Sequence, residues 1–369
     1  MGLIIAPMND WSPASILRRL FDSERGASDR LLPRWIFLRA LGLIYYSAFF
    51  SLVFQIRGLI GPHGILPAGE YLQELAERFG QASYWYAPTL LWLSSGSHMI
   101  TGICWAGMIA SLLLVLNVWP RGMLAVCFVC FLSFVSAAQD FSAYQSDGML
   151  LEAGFISMFF APSGWRPEWG EESRPSRASL FLLVWECFRI YFESGMAKIM
   201  GGDPQWRNFT ALDEYYQNGP LPTWIGWYMQ HLPHWFHAAT AFGTLALELA
   251  LAWTMFLPRR IRILCFLIVT PWQIGIILSA NYTFLNYLVL ALGFLLLDDQ
   301  FLLRYLPRFL KKSYLATKEA KPLAPPALED QWRKKLRQQL SALRLAVTAV
   351  MLTWIFYATL AQMAWMVKP

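Results

Sequence analysis

Charged side chains are scarce in this sequence of 369 residues: Asp, Glu, Lys and Arg make up 15% of it, while 56% of the residues are hydrophobic. Soluble domains carry about a quarter charged residues, so this composition excludes an ordinary water-soluble protein. The sequence also lacks a Walker loop, a Gly-rich nucleotide fingerprint and a kinase signature. We therefore predict an integral membrane protein without a nucleotide site of these kinds.

Cysteine is scarce too, and none of the five lies in a polar connection. The CFVC stretch at 127–130 has the spacing of a redox motif, but it lies in an apolar run where a thiol has no access to thiolate chemistry. No disulfide framework is expected. His231, His234 and His237 are spaced by three, but Pro233 interrupts a regular helix there and no carboxylate cluster at ligand spacing accompanies them. We predict no metal site.

Apolar runs that could cross about 30 Å of hydrocarbon recur along the chain. We identify nine, at Trp35–Gln55, Leu90–Val118, Met123–Ala138, Met149–Ala161, Leu180–Met200, Ala238–Leu257, Ile261–Ala280, Phe284–Leu297 and Leu345–Met366. The third, fourth and eighth are short, so eight spans stay an alternative. The predicted fold is an all-α polytopic membrane protein.

Basic residues are distributed unevenly between the alternate connections of these spans. If the N-terminus is cytoplasmic, the cytoplasmic connections hold most of the Lys and Arg, and 304–337 alone holds ten, as the positive-inside rule requires. Nine spans then place the C-terminus outside. The net charge of +6 is thereby explained without nucleic acid, and the basic segment contacts either anionic lipid or only solvent.

This topology gives the chain four parts: a cytoplasmic N-terminal segment at 1–34, a membrane domain at 35–300, a basic cytoplasmic linker at 301–343 and a last transmembrane helix at 344–369. The extracytoplasmic connections are 57–88, 139–148 and 201–235. They are rich in Gly, Pro, acidic residues, Trp and Tyr, which suits an ordered layer at the membrane interface. We expect the function to face outward.

The fifth span carries ionisable groups that an apolar helix does not need. Glu186, Arg189 and Glu193 fall on one helical face, and an isolated charge in lipid costs at least about 2.5 kcal/mol. They must pair with one another, in an intrahelical ladder, or face a polar cavity. Lys198 lies near the outer end of the same span. It could be an interfacial anchor, half of a structural ion pair or a catalytic base.

A second polar group surrounds the start of the fourth span and consists of Asp140, Gln145, Asp147 and Glu152. Asp147 suits a helix cap, because the free N–H groups of a helix end favour anions. Glu152 lies inside the apolar run and needs a partner, for which the Arg and the Lys of the fifth span are the candidates. Glu248 in the sixth span poses the same problem. We predict that the polar groups of the three spans line one outward-opening cavity.

Six stretches between Arg34 and Asp299 carry a family resemblance. They read RWIFLRALGLIYYSAFFSLVFQIRGLIGPHGILPAGEYL, QDFSAYQSDGMLLEAGFISMFFAP, FRIYFESGMAKIMGGDPQWRNFTAL, PLPTWIGWYMQHLP, ALELALAWTMFLPRRIR and SANYTFLNYLVLALGFLLLDD. Together, and in this order, they resemble the lipase maturation factor family. That family is similar to the horizontally transferred transmembrane (HTTM) domain of vitamin K-dependent gamma-carboxylase, a polytopic helical domain.

The resemblance implies a protein of the bacterial inner membrane or the endoplasmic reticulum membrane that assists the folding or maturation of secreted or membrane proteins. A lipase or another secreted protein would be its client, and membrane lipids would surround it. Eukaryotic members of the family continue into a lumenal C-terminal domain implicated in lipase handling. This sequence is expected to lack that half.

The similarity to the carboxylase implies an alternative function, a membrane-embedded enzyme that acts on a quinone-like or lipid substrate. The carboxylase contains F-x-x-G-x-K-K, whose lysine is taken as the base that deprotonates a reduced quinone cofactor. Phe192–Lys198 fits this spacing, although Ala197 replaces the first lysine. By this resemblance Lys198 would be the base, and Glu152 or Asp147 would orient the substrate. Whether the protein is an enzyme stays open, and so does its cofactor.

Overall fold

The computed structural model describes residues 12–142, 144–219, 222–319 and 331–367, and these contain helices but no strand. The helices are α1 (Pro13–Phe21), α2 (Leu31–Ile60), α3 (Ala68–Phe79), α4 (Ser83–Tyr86), α5 (Ser97–Val115), α6 (Pro120–Val135), α7 (Gln145–Phe160), α8 (Arg177–Met200), α9 (Pro204–Arg207), α10 (Ala211–Asn218), α11 (Trp224–Gln230), α12 (His234–Leu249), α13 (Arg259–Ser279), α14 (Phe284–Gly293), α15 (Asp299–Leu302), α16 (Arg308–Glu319) and α17 (Gln331–Val367). A 3-10 helix at Leu251–Phe256 extends α12.

Five helical segments of the described chain are long and apolar enough to cross a membrane: Leu31–Ile60, Ser97–Val115, His234–Phe256, Arg259–Ser279 and Gln339–Met366. Two shorter apolar helices lie at Pro120–Val135 and Phe284–Leu296. The predicted all-α membrane protein is confirmed at this level. The count of nine spans stays a prediction, because α7 and α8, which carry ionisable residues, are not among these apolar helices. The orientation of the termini stays a prediction too.

The structure moves two of the predicted boundaries. The second span was expected to start at Leu90, but Thr89 caps a short 3-10 turn by accepting the Leu91 N–H, and α5 starts only at Ser97. The last helix was expected to start at Leu345, but it already includes Gln331. The segment 301–343, interpreted as a linker, therefore contains α16 and the N-terminal part of α17. Residues 320–330 of this segment lie outside the described part, and so do residues 1–11 and 368–369 of the two terminal segments.

The core of the bundle forms around α2, against which α5, α7 and α14 pack. Tyr45 and Phe49 of α2 meet Phe131 of α6 edge to face, with ring centroids 5.9 and 6.0 Å apart. Gly107 of α5 permits this approach, since a Cβ there would lie 2.5 Å from the Phe49 ring. By contrast, α13 and α17 bury little of their surface, as expected for helices that face lipid.

The connections at 22–34, 116–121, 161–177, 257–262 and 295–319 meet at one end of the bundle, which we call the basic layer. Arg34 is 1% exposed and donates to the Gly170 carbonyl at 2.8 Å. Asp299 accepts from the Leu32 N–H at 2.8 Å and from the Tyr314 hydroxyl at 2.5 Å. Burial and the hydrogen bond to Asp299 raise the pKa of Tyr314, so the phenol stays a donor. The connections predicted to be cytoplasmic therefore lie at the same end of the bundle.

The opposite end carries an ordered layer on α12. Phe181 packs on Phe256, and Gly195 adjoins Leu249, so α12 and its extension run antiparallel to α8. The N-terminal part of α12 therefore lies beyond the C-terminal end of α8. There α10 packs on α12, where a ring nitrogen of His237 lies 2.6 Å from a carbonyl oxygen of α10. Several tryptophans of this end are exposed. We call residues 201–219, 222–235 and 279–283 the aromatic layer.

Candidate functional site

Four ionisable side chains of α7 and α8 meet inside the bundle: Glu152, Glu186, Arg189 and Glu193, the Arg189 cluster. Arg189 Nη2 donates to Glu152 Oε2 at 2.7 Å, and Arg189 Nε lies 3.8 Å from Glu193 Oε1. Arg189 is 1% exposed. At 1.5 Å of rise per residue it lies about 18 Å along α8 from Arg177. The cluster therefore joins α7 to α8 near the middle of α8.

The Arg189 cluster shows which residue pairs with Glu152 and how much of the expected intrahelical ladder forms. Of the two candidate partners of Glu152, the structure selects Arg189. The expected intrahelical ladder is present on one side only, because Glu193 approaches Arg189 while Glu186, although fully buried, forms no ion pair within the described chain. Two donor atoms of Arg189, Nε and Nη1, are buried without a hydrogen-bond partner there. Three carboxyl groups thus lie in an apolar setting with one guanidinium, and two of them, Glu152 and Glu193, pair with it.

Helix α2 is tied to the same level of the bundle by Tyr45, whose hydroxyl donates to the Leu150 carbonyl at 2.9 Å. The contact depends on Gly154 of α7. A Cβ at that position would lie 2.0 Å from the Tyr45 Oη, so a larger residue would separate α2 from α7. Three helices are therefore held together at one level by polar contacts.

A second group, the Lys198 cluster, contains Ser194, Lys198, Trp206 and Glu248. Lys198 Nζ lies 2.8 and 2.9 Å from the two carboxylate oxygens of Glu248 and 2.7 Å from Ser194 Oγ. The Trp206 ring covers the ammonium group at 5.1 Å. Gly195 sets the spacing of α8 and α12, because a Cβ there would lie 3.0 Å from the Cβ of Glu248. The cluster joins α8 to α12.

The geometry of Lys198 favours a structural ion pair. Each N–H of the ammonium group faces an acceptor, two from Glu248 and one from Ser194, so the charge is compensated without a substrate. An amine held in this way presents no lone pair to a quinone or to another acid, and the structure gives a base at this position no support. Its place about 31 Å along α8 is at the aromatic layer, where an anchor would also lie.

The polar residues expected to line one cavity are found in three places: the Arg189 cluster, the Lys198 cluster and the N-terminal end of α7. Asp140 and Gln145 are exposed in the structure, and Asp147 is half-buried in the first turn of α7. Asp147 is not the cap: the N-cap of α7 is Tyr144, and no side chain caps that end. None of these three contacts Lys198.

Sequence reasoning missed two members of the Lys198 cluster. Ser194 precedes Lys198 by four residues, a spacing that places both on one helical face, so its role could have been read from the helix period. Trp206 lies beyond the end of α8 in a short helix, and its position over the ammonium group depends on how the chain turns at Gly201 and Gly202. No pattern in the sequence signals that turn's direction.

A cavity of about 420 Å³ opens in the aromatic layer above Lys198 and is lined in part by Trp206 and Tyr216. A second cavity of about 510 Å³ adjoins it and is lined in part by Tyr216, Pro222 and Trp227. Among the described residues no group of three His, Cys, Asp or Glu side chains has the geometry of a metal site. The chemistry that this end offers is therefore recognition by rings, amides and acids.

Comparison with known proteins gives one consistent result. The family model described as Lipase maturation factor transmembrane domain matches residues 32–304. Lipase maturation factor 2 of Gallus gallus is 35% identical over 300 residues, which cover 76% of this chain and 40% of that protein. Lipase maturation factor 1 of Bos taurus is 32% identical over 276 residues, 73% of this chain and 49% of that protein. The chain spans half or less of these relatives, and no solved structure matches it.

Proposed function

Because the chain belongs to the lipase maturation factor family, we propose that it is a membrane-embedded maturation factor that assists the folding of a secreted or membrane protein, such as a lipase. The observation that carries the proposal is the family match over residues 32–304. The relatives' names assign lipase maturation to those proteins. Because this chain spans 40% and 49% of two of them, both its client and its way of assisting that client belong to the proposal.

The geometry supports a binding role. Ion pairs fix α8 to α7 and to α12, so the aromatic layer stands on a rigid base. Trp224, Trp227 and Trp235 of this layer are 75%, 60% and 70% exposed. Large amphipathic rings of this kind contact apolar segments and the membrane interface with little loss of side-chain entropy. A client that leaves the membrane or approaches its surface would meet these rings first.

The proposal is tested by secretion of a lipase from cells that lack the gene for this chain. We expect the specific activity of the secreted lipase, meaning activity per mass of enzyme, to fall, and wild-type chain to restore it. Specific activity separates maturation from synthesis, because a defect in synthesis lowers mass and activity together. If the deletion leaves the specific activity of every secreted lipase unchanged, the proposed function is wrong for lipases.

A further inference from the structure

The two cavities of the aromatic layer adjoin each other, because both are lined by Tyr216 and Pro222, and we call them together the groove. The groove runs from the connection between α13 and α14, across α10, to α11. Ligand sites in proteins have volumes of about 300–1,000 Å³, and each of the two cavities falls in this range on its own. The groove can therefore hold a ligand longer than a single side chain.

Several carboxamide side chains line the groove: Gln205, Gln217, Asn218, Gln230 and Asn281. A carboxamide offers two donors and one acceptor, the groups that pair with the C=O and N–H of a peptide unit. The side chains of Gln205, Gln217 and Asn218 are exposed. These carboxamides can therefore pair with a peptide in the groove without a rearrangement of the fold.

The charge of the groove is negative. Asp203 and Glu214 line it and are exposed, while Lys198, which also lines it, is neutralised by Glu248 at 2.8 Å. The rings of Tyr215 and Tyr282 also line it, and aromatic faces attract the cationic groups of Lys and Arg. A basic ligand is therefore complementary in charge and in ring chemistry.

We propose that this groove binds an extended polypeptide segment that carries Lys or Arg. The carboxamides pair with the peptide backbone, which makes binding tolerant of sequence, and the acids and rings take the basic side chains. The inference rests on the proposed function for the origin of the segment, which is the client. A neutral glycan would also fit rings and carboxamides, but it would leave Asp203 and Glu214 without a partner of opposite charge.

The test uses the full chain in nanodiscs of phosphatidylcholine, whose headgroups carry no net charge, and short fluorescent peptides read by anisotropy. We expect a Lys-containing peptide to bind, and the same peptide with Glu for Lys to bind about tenfold more weakly or worse. Glu214→Lys should weaken binding of the basic peptide about tenfold, and Glu214→Gln about threefold. Glu74→Lys is the matched control, because Glu74 is an exposed acid of α3 that does not line the groove.

Equal binding of the basic and acidic peptides would overturn the proposal, and so would equal losses in Glu214→Lys and Glu74→Lys. Saturable binding of a neutral oligosaccharide without peptide binding would reassign the groove to glycans. Thermal unfolding of each variant shows whether a loss reflects the groove or the fold. If peptides fail to bind while lipase specific activity still depends on the chain, the groove inference fails and the proposed function stands. If peptides bind while no lipase depends on the chain, the groove inference stands and the proposed function fails for lipases.

Discussion

The ammonium group of Lys198 lies 2.8 and 2.9 Å from the two carboxylate oxygens of Glu248. This contact ties the C-terminal part of α8 to α12, just as the 2.7 Å contact of Arg189 with Glu152 ties its middle to α7. Helix α8 is thus connected through charges to two neighbours. Removing one member of such a pair leaves the other as an uncompensated charge in an apolar setting, which costs more than the intact pair contributes.

Substitution of Lys198 separates the structural role from a catalytic one. Lys198→Met should lower the free energy of unfolding by about 2 kcal/mol, less than for a fully buried pair because the lysine side chain is 20% exposed. Lys198→Arg keeps sign and reach and should be nearly neutral in stability and in lipase maturation. The measurements are chemical unfolding in detergent and lipase specific activity. An arginine variant that folds normally but has lost all activity would contradict the ion-pair role and favour a base.

The double variant Lys198→Met with Glu248→Gln is the control for this interpretation. It removes both charges together, so it should be more stable than Lys198→Met alone, because no unpaired carboxylate is left in the bundle. A double variant whose loss of stability relative to wild type equals the sum of the two single losses would show that the two residues act independently.

Glu152→Gln tests the buried pair of the Arg189 cluster. It removes the carboxylate that accepts a hydrogen bond from Arg189, and we expect a loss of about 3–5 kcal/mol in the free energy of unfolding. Asp140→Asn makes the same chemical change at an exposed position before the same helix and should alter stability by no more than about 0.5 kcal/mol. Similar unfolding curves for the two variants would show that the cluster contributes nothing to the fold.

Two glycines of α7 give a matched pair of substitutions. Gly154→Ala places a methyl group 2.0 Å from the Tyr45 hydroxyl, so it should break the bond to Leu150 and destabilise the protein by about 1–3 kcal/mol. Gly148→Ala meets nothing within 4 Å and should be neutral or stabilise by up to about 1 kcal/mol through helix propensity. Thermal unfolding measures both. A neutral Gly154→Ala would mean that α2 and α7 are not held by this contact.

The sequence permitted prediction of an all-α membrane protein, because lipid demands long apolar runs and these can be seen directly. Which charges pair could not be deduced, since the helix period assigns residues only to faces. Lys198 and Glu248 are 50 residues apart, and their contact depends on the register of α8 against α12, which Gly195 permits. The sequence could not assign Arg189 and Lys198 to separate clusters for the same reason: they lie on one helix, but Arg189 pairs with α7 and Lys198 with α12.

The orientation of the protein is the last prediction, and it rests on the basic residues. Because connections of the basic layer are expected in the cytoplasm and the aromatic layer outside, cysteines introduced at Asn208 and Arg308, both exposed, should be labelled from opposite sides. The wild-type chain supplies a low background, since its five cysteines are buried and free. A membrane-impermeant maleimide added to intact cells, or to sealed lumen-out vesicles if the protein resides in an internal membrane, should label Asn208→Cys at once. Arg308→Cys should react only after permeabilisation. Labelling of both from the same side would contradict the topology, and it would also move the groove away from the compartment in which a secreted client folds.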